Sequence, residues 1–352
     1  MSFLLDNKKI ELNNMTDKNN IVCNIEMDLT KLSKPELLLK CEEHGIKKCK
    51  SKNKEVLIAL LENKPVEKKK IELIIEDDEE DIKNEVITQQ DLEINKIYNE
   101  DCVIGMKKIK SESVDIIICD PPYNIGKDFG NSSDKQTMDK YLIWCDEWIT
   151  ECIRILKPKG TMYIYGFSEI LAFIRVRIHI NVRWIIWHYT NKVTPSLNHW
   201  QRTHESILCC CKEKPHFNRD DVREPYTETY LKNAAGKVRK STKGRFSNGT
   251  KETLYTAHTN GALPRDVIKI SALAGGAGKK ERVNHPTQKP LQLCKKLIKA
   301  SKNGRDTLLV VPFAGSGSEC VAAKKENINF IGFEVNEEYV KLCNERLDSI
   351  TE

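Results

Sequence analysis

From about Glu93 to the C-terminus, short apolar runs rich in β-branched residues alternate with stretches of helical periodicity. No other feature constrains the fold as much, because a continuously apolar strand must be covered on both faces. Val114-Asp-Ile-Ile-Ile-Cys119 is the strongest such run and ends at Asp120. Further strands are predicted over 161–165, 182–187, 206–211, 306–311 and 330–333, and helices over 141–156, 290–301 and 319–325. Lys157-Pro158-Lys159-Gly160 is expected to stop the first of these helices. The alternation predicts an α/β fold with a mainly parallel sheet and helices on both faces. Residues 219–282 break the rhythm with a polar, Gly-rich and basic composition, and read as an insertion at the sheet rim.

The chain before residue 93 differs in kind. Residues 1–27 are polar and irregular and read as a flexible tail. Over 28–63, Ser33 is placed to cap a helix with Pro35 and Glu36 in its first turn and Leu37, Leu38 and Cys41 as its apolar stripe. His44-Gly45 reads as its stop. Asn53 is placed to cap a second helix with the stripe Val56, Leu57, Leu60 and Leu61. Residues 64–92 have a linker's composition and contain six consecutive acids, Glu76 to Asp81. The remaining 93–352 form the principal domain, in keeping with about two domains for 352 residues.

Composition narrows the function classes. The 57 Lys and Arg exceed the 51 Asp and Glu by only +6, but the basic residues cluster. Lysines crowd 47–54, and Lys237, Arg239, Lys240, Lys243 and Arg245 fall in the insertion beside Tyr226, Tyr230 and Tyr255. Charge mixed with aromatics in this way suits a nucleic-acid surface. Thirteen cysteines without paired CxxC spacing make neither a disulfide framework nor a zinc site, so no metal is expected and a reducing compartment is. Apolar stretches fall far short of the ~20 residues of a membrane span, and the N-terminus lacks a secretory layout. An intracellular, cytoplasmic protein with no membrane partner is the expectation.

Two motifs carry chemistry. Asp120-Pro121-Pro122-Tyr123 follows the strongest strand, at the carboxyl end where open α/β sheets bind ligands. Two prolines stiffen the turn and remove two donors, so a carboxylate, a bare carbonyl and an aromatic ring are presented together. That set suits an exocyclic amine on a planar base. Val311-Pro312-Phe313-Ala314-Gly315-Ser316-Gly317-Ser318 lies between a strand and a helix, and Glu334 follows at the end of the next strand. Glycines there admit a ligand to the backbone, and a carboxylate so placed can bind ribose hydroxyls. The dinucleotide fingerprint GxGxxG is a competitor, but its third glycine position is Cys320. A smaller nucleoside fits better.

Taken in this order, with Asn284-His285-Pro286-Thr287-Gln288-Lys289-Pro290 between them, the motifs resemble those of the β-class amino-methylating DNA methyltransferases, which use S-adenosylmethionine. The resemblance spans about Ile94 to Leu347 and implies a Rossmann-like methyltransferase fold. It assigns Asp120, Pro121, Pro122 and Tyr123 to the target base. It assigns Phe313, Gly315, Ser316 and Gly317 to the methionine side of the cofactor and Glu334 to its ribose. Asp101 and Cys102, in the run Tyr98-Asn-Glu-Asp-Cys102, would face the adenine ring, and His285, Thr287 and Lys289 would close the pocket. The segment 187–212 resembles the family's next strand pair, and Glu205 in it reads as either functional or a structural hydrogen-bonding group. Residues 29–62 resemble a SAP module, a DNA-binding helix-loop-helix. The implied reaction is methyl transfer to adenine N6 of a flipped base in double-stranded DNA, because an initial Asp in the tetrapeptide accompanies adenine more often than cytosine N4 in this family. Cytosine-N4 or RNA methylation, or a silent DNA-binding subunit, are the alternatives. The last is motivated by Val311, where the family usually carries Asp. A second copy of the chain and a cognate restriction endonuclease stand open as partners, and the richness in Lys, Ile and Asn fits an AT-rich genome, bacterial or viral.

Overall fold

The computed structural model describes residues 33–43, 54–61, 92–127, 135–191, 196–244 and 247–350. The expected tail, the acidic linker, the stop at His44-Gly45, the cap at Asn53, the lysines before Lys54, and Arg245 lie outside the described residues. The chain divides into two compact units, Met1–Lys83 and Asn84–Glu352.

In the first unit, α1 (Lys34–Glu43) and α2 (Lys54–Leu61) form a helical pair. Ser33 starts α1 as expected: its backbone N–H and its hydroxyl both donate to Glu36 Oε2 at 2.7 Å, half of a capping box. Leu37, Cys41 and Leu57 are buried, with Leu38, Ile58 and Leu61 packed against them.

The second unit is built on one sheet. Its elements are β1 (Lys96–Asn99), α3 (Cys102–Lys107), β2 (Val114–Cys119), α4 (Met138–Ile155), β3 (Leu156–Gly166), α5 (Ser168–Arg175), β4 (Asn181–His188) and β5 (His204–Cys211). There follow α6 (Glu228–Asn233), β6 (Val238–Lys240), β7 (Glu252–Leu254), β8 (Val267–Lys269), α7 (Leu291–Ser301), β9 (Leu308–Val311), α8 (Ser318–Lys325), β10 (Asn329–Glu334) and α9 (Glu337–Asp348). The sheet order is β1-β10-β9-β2-β3-β5-β4-β8. Only β5 runs against its neighbours, so the mainly parallel sheet expected from the apolar runs is present. Residues of β2 divide between two cores. Ile117 and Cys119 pack with residues of α3, α4 and α5 on one face, and Ile116 and Ile118 with residues of α7, α8 and α9 on the other.

Three local expectations change. Lys157-Pro158-Lys159-Gly160 lies inside β3, not in a turn after the helix. The β2–β3 pairing slips there, from Val114 opposite Leu156 to Ile116 opposite Thr161. A proline without its N–H is tolerated at such a bulge, and Lys157 Nζ ties it down with 2.8 Å bonds to both oxygens of Asp115. Residues 219–282 are not wholly an insertion. β6 and β7 form a separate two-stranded ribbon, but β8 joins the main sheet parallel to β4. Tyr226 and Tyr230 stack on one another at 4.6 Å, so these rings are partly spent on local packing. The short elements β1, α3 and α5 were not anticipated from periodicity. Among the described residues, no helix is long and apolar enough to cross a membrane.

Candidate active site

Because all strands of the main sheet but β5 point the same way, their carboxyl ends form one rim. Asp120 follows β2, the glycine loop follows β9, Glu334 ends β10, Asp101 follows β1 and Phe167 follows β3. The reversed strand β5 begins at this rim and delivers Glu205 to it. The two motifs, far apart in sequence, therefore meet.

Asp120 is the hub. Lys289 Nζ donates to its Oδ1 at 2.8 Å and its Oδ2 at 2.7 Å, and the Tyr123 hydroxyl donates to Oδ1 at 2.8 Å. Glu205 Oε2 lies 3.4 Å from that hydroxyl and 3.6 Å from Lys289 Nζ. Burial opposes the charge of Lys289, but Asp120 and Glu205 outweigh it and hold the ammonium above its ordinary range. Burial, then Asp120 and Glu205, push the Tyr123 phenol up, so it remains a donor. The Tyr141 hydroxyl donates to the Pro122 carbonyl at 2.8 Å. Asn124, in the left-handed region at φ 56°, exchanges two hydrogen bonds with the Gln136 backbone, closing the turn. Two expectations are refined here. Lys289 sits on the Asp120 carboxylate as well as on the pocket wall. Tyr123 is only 7% exposed and packs edge-on against Phe167 at 5.1 Å, so it is a buried wall and a donor before it is a stacking platform.

The glycine loop is equally determined. Gly315 has φ +50°, and a Cβ there would stand 2.9 Å from His285 Nε2. Gly317 has φ +72° at the start of α8, and a Cβ would meet Cys343 Sγ at 2.7 Å. Glu334 Oε2 accepts from the Gly315 N–H at 2.7 Å and Oε1 from the Asn336 N–H at 2.9 Å. Burial nonetheless pushes its carboxyl above the ordinary range. Phe313 packs edge-on against Trp144 and Trp148 at 5.6 and 5.5 Å. The His285 ring meets Tyr339 at 4.7 Å. Its pKa is lowered to about 4, chiefly by burial, with Lys289 and Arg346 adding and Asp120 opposing. Asp101 caps α3, accepting from the N–H groups of Val103 and Ile104 at 2.9 and 3.3 Å. Val311 is 1% exposed and belongs to the core.

Two cavities adjoin at Tyr123 and Lys289, the two residues that hold Asp120, and Asp120 itself lines the first. The first, of about 300 Å³, is lined by Asp101, Cys102, Asp120, Phe313, Gly315, Ser316 and Glu334, with His285, Thr287 and Lys289 closing it. The second, of about 360 Å³, is lined by Phe167, Trp187, Glu205 and Arg282 and shares Tyr123, His285, Thr287 and Lys289 with the first. Several lining residues are not anticipated as functional, among them Trp144, Phe167, Trp187, Arg282 and Glu319, the last buried in the first turn of α8 and set in the otherwise ordinary helical run Ser-Glu-Cys-Val-Ala-Ala. Lys237, Arg239, Lys240 and Lys243 are exposed on β6 and just beside it, and line neither cavity. Among the described residues, no cluster of His, Cys, Asp and Glu is arranged to hold a metal.

The first cavity suits S-adenosylmethionine by its own chemistry. The bare Cα of Gly315 leaves a cradle, Glu334 offers a carboxylate at a strand end, and apolar walls flank both. A largely parallel α/β sheet with this loop and an Asp-Pro-Pro-Tyr turn on one rim defines an S-adenosylmethionine-dependent methyltransferase. The chain belongs to the DNA methylase family, whose pattern it matches over residues 114–345. It is 34% identical over 254 residues to the Type II methyltransferase M.HpaI of Haemophilus parainfluenzae, covering 70% of this chain and 71% of that one. It is 33% identical over 267 residues to the DNA adenine methyltransferase YhdJ of Escherichia coli strain K12, covering 73% and 83%. The PvuII DNA methyltransferase, described as cytosine-N4-specific, shares the fold with a TM-score of 0.52 at 16% identity, over 72% of this chain and 87% of that one.

Proposed function

We propose that this DNA methyltransferase transfers the methyl group to adenine N6 of a base extruded from duplex DNA. The observation that carries the reading is Asp120, which lines the nucleoside-type cavity and is fixed by Lys289 and Tyr123, the residues that this cavity shares with the aromatic-walled one. Phe167, Trp187 and Tyr123 would wall the extruded base, offsetting part of an unstacking cost of a few kcal/mol. The name of YhdJ, an adenine methyltransferase, and the initial Asp of the tetrapeptide both support adenine over cytosine.

S-adenosylmethionine, when bound, supplies an electrophilic methyl group on a sulfonium. The residues supply orientation and charge. An aromatic amine is a poor nucleophile because its lone pair is delocalised into the ring. Asp120 Oδ2 and the Pro121 carbonyl each accept one amine hydrogen, which draws the nitrogen toward tetrahedral geometry and aims its lone pair at the first cavity. As positive charge grows on the nitrogen, the carboxylate attracts it more than in the ground state. The same carboxylate then takes the surplus proton. Lys289 works against that attraction, so its part is to hold Asp120 in one orientation. Glu334 holds ribose hydroxyls, Asp101 and Cys102 face the adenine ring, and His285 and Thr287 close the pocket.

The lysines and arginine on and after β6 would contact phosphates, and the helical pair of the first unit would add a tethered DNA contact. The Type II names of the relatives support a restriction endonuclease as a functional partner. The test is nucleoside analysis and single-molecule sequencing of DNA from cells expressing the chain, beside an Asp120→Ala control. N6-methyladenine present only with the intact chain is the expected result. N4-methylcytosine alone would overturn the choice of base, and no modified base would overturn the activity.

A further inference from the structure

Glu319 lines the first cavity from the first turn of α8, two residues beyond Gly317, and is 3% exposed. Its Oε1 accepts from the Cys294 thiol at 3.4 Å, a weak donor for a buried carboxylate. Val311, at the end of β9, brings no charge to the loop, so α8 contributes the buried acid on this side. The ammonium whose charge acts on Glu319 is that of Lys289, already bonded to Asp120 and 3.6 Å from Glu205. Asp120, Glu205 and Glu319 thus share this one ammonium. When all are ionised they leave an excess of negative charge, which a cationic guest would relieve.

We propose that Glu319 is a cofactor-binding residue that senses the sulfonium charge and so favours the methyl-bearing cofactor over its demethylated product. The proposal rests on the methyltransferase reading of this cavity. Burial first, and Asp120 second, push the Glu319 carboxyl up to about 7, with Lys289 opposing, so it gains and loses a proton in the neutral range. A cation entering the cavity favours the ionised form and expels that proton. By linkage, the cofactor binds more tightly as pH rises through neutrality. S-adenosylhomocysteine lacks the methyl and the sulfonium charge but keeps the α-ammonium, so the ratio of the two affinities isolates what the ionisation gives to the sulfonium.

Other groups facing Glu319 do not mimic this behaviour. Burial pushes Cys294 and Tyr165 well up and Cys343 up to about 12, while His285 stays neutral down to about 4. Arg346 carries its charge on α9 and bonds the Ser316 carbonyl and the Ser318 hydroxyl. Glu334 faces the cavity from β10 and is common to every variant compared.

The test titrates the full chain with S-adenosylmethionine and with S-adenosylhomocysteine from pH 6 to 8, reading the fluorescence of Trp144 and Trp148 beside Phe313. In the unaltered chain, the preference for S-adenosylmethionine is expected to rise about tenfold over this range. Glu319→Gln should make the preference independent of pH, and Glu319→Asp, which still ionises, should retain the rise. Because each variant is compared with itself through two ligands, a loss of stability cannot imitate the result. A flat preference in the unaltered chain, or a rise surviving in Glu319→Gln, overturns the proposal while leaving the methyltransferase reading intact. Binding of neither ligand at any pH overturns both.

Discussion

Asp120 has about four lone-pair directions, and Lys289 on both oxygens with Tyr123 on Oδ1 occupies three of them. The remaining direction, on Oδ2, matches the one amine hydrogen the proposed chemistry asks of it. Asp120→Asn is therefore expected to lower turnover on the order of 10²–10³-fold while cofactor binding persists. Turnover and a fluorescence titration on the same preparation check this, and a parallel loss of binding would make Asp120 a cofactor residue instead. Gly315 illustrates a different constraint. Gly315→Ala would place a Cβ 2.9 Å from His285 Nε2 at φ +50°. The left-handed backbone alone costs about 1–2 kcal/mol for an L-residue. The expected result is weakened cofactor binding with DNA affinity retained, read by titration and by gel shift; unaltered cofactor affinity would show that the His285 segment yields freely.

At the scale of elements, the β6–β7 ribbon is the testable part of the proposed DNA interface. If Lys240 and Lys243 each neutralise a phosphate, the double change to alanine should reduce the slope of log affinity against log salt by about two. An unchanged slope would remove the ribbon from the interface. The elements that sequence made legible share one property: their apolar pattern is decided locally. The runs 116–119 and 308–311 are apolar at successive positions because both faces are covered, and the turns after them carry the motif residues. What remained hidden depends on distant partners. The start of β3 is disguised by Lys157-Pro158-Lys159-Gly160, and only pairing to β2 through a bulge makes it strand. β8 is three residues of unremarkable sequence that becomes strand by adding to β4. The pairing of Lys289 with Asp120 joins residues 169 positions apart, and Glu319 looks like any polar residue of a helix until α7 covers it.

For the molecule as a whole, Glu319 and His285 pull stability in opposite directions with pH. Glu319 titrates near 4.5 when unfolded and near 7 when folded, so between these values the folded chain holds a proton the unfolded chain has released. Its contribution is complete below pH 4.5 and is lost as pH rises to about 7. His285, near 6.5 unfolded and about 4 folded, does the reverse: stability falls as pH drops through that window. Glu319→Gln should therefore stabilise the chain at pH 8, by at most about 3 kcal/mol, and leave it near the parent below pH 4.5. Urea unfolding at both pH values measures the gap, and an equal gap at each would contradict the assignment. Finally, Tyr123, His285, Thr287 and Lys289 belong to both cavities at once. A partition with two occupied sides makes the ligands energetically reciprocal: whatever factor the nucleoside sulfonium adds to the grip on DNA, DNA must return to the sulfonium, so neither affinity has a single value without stating whether the other guest is present.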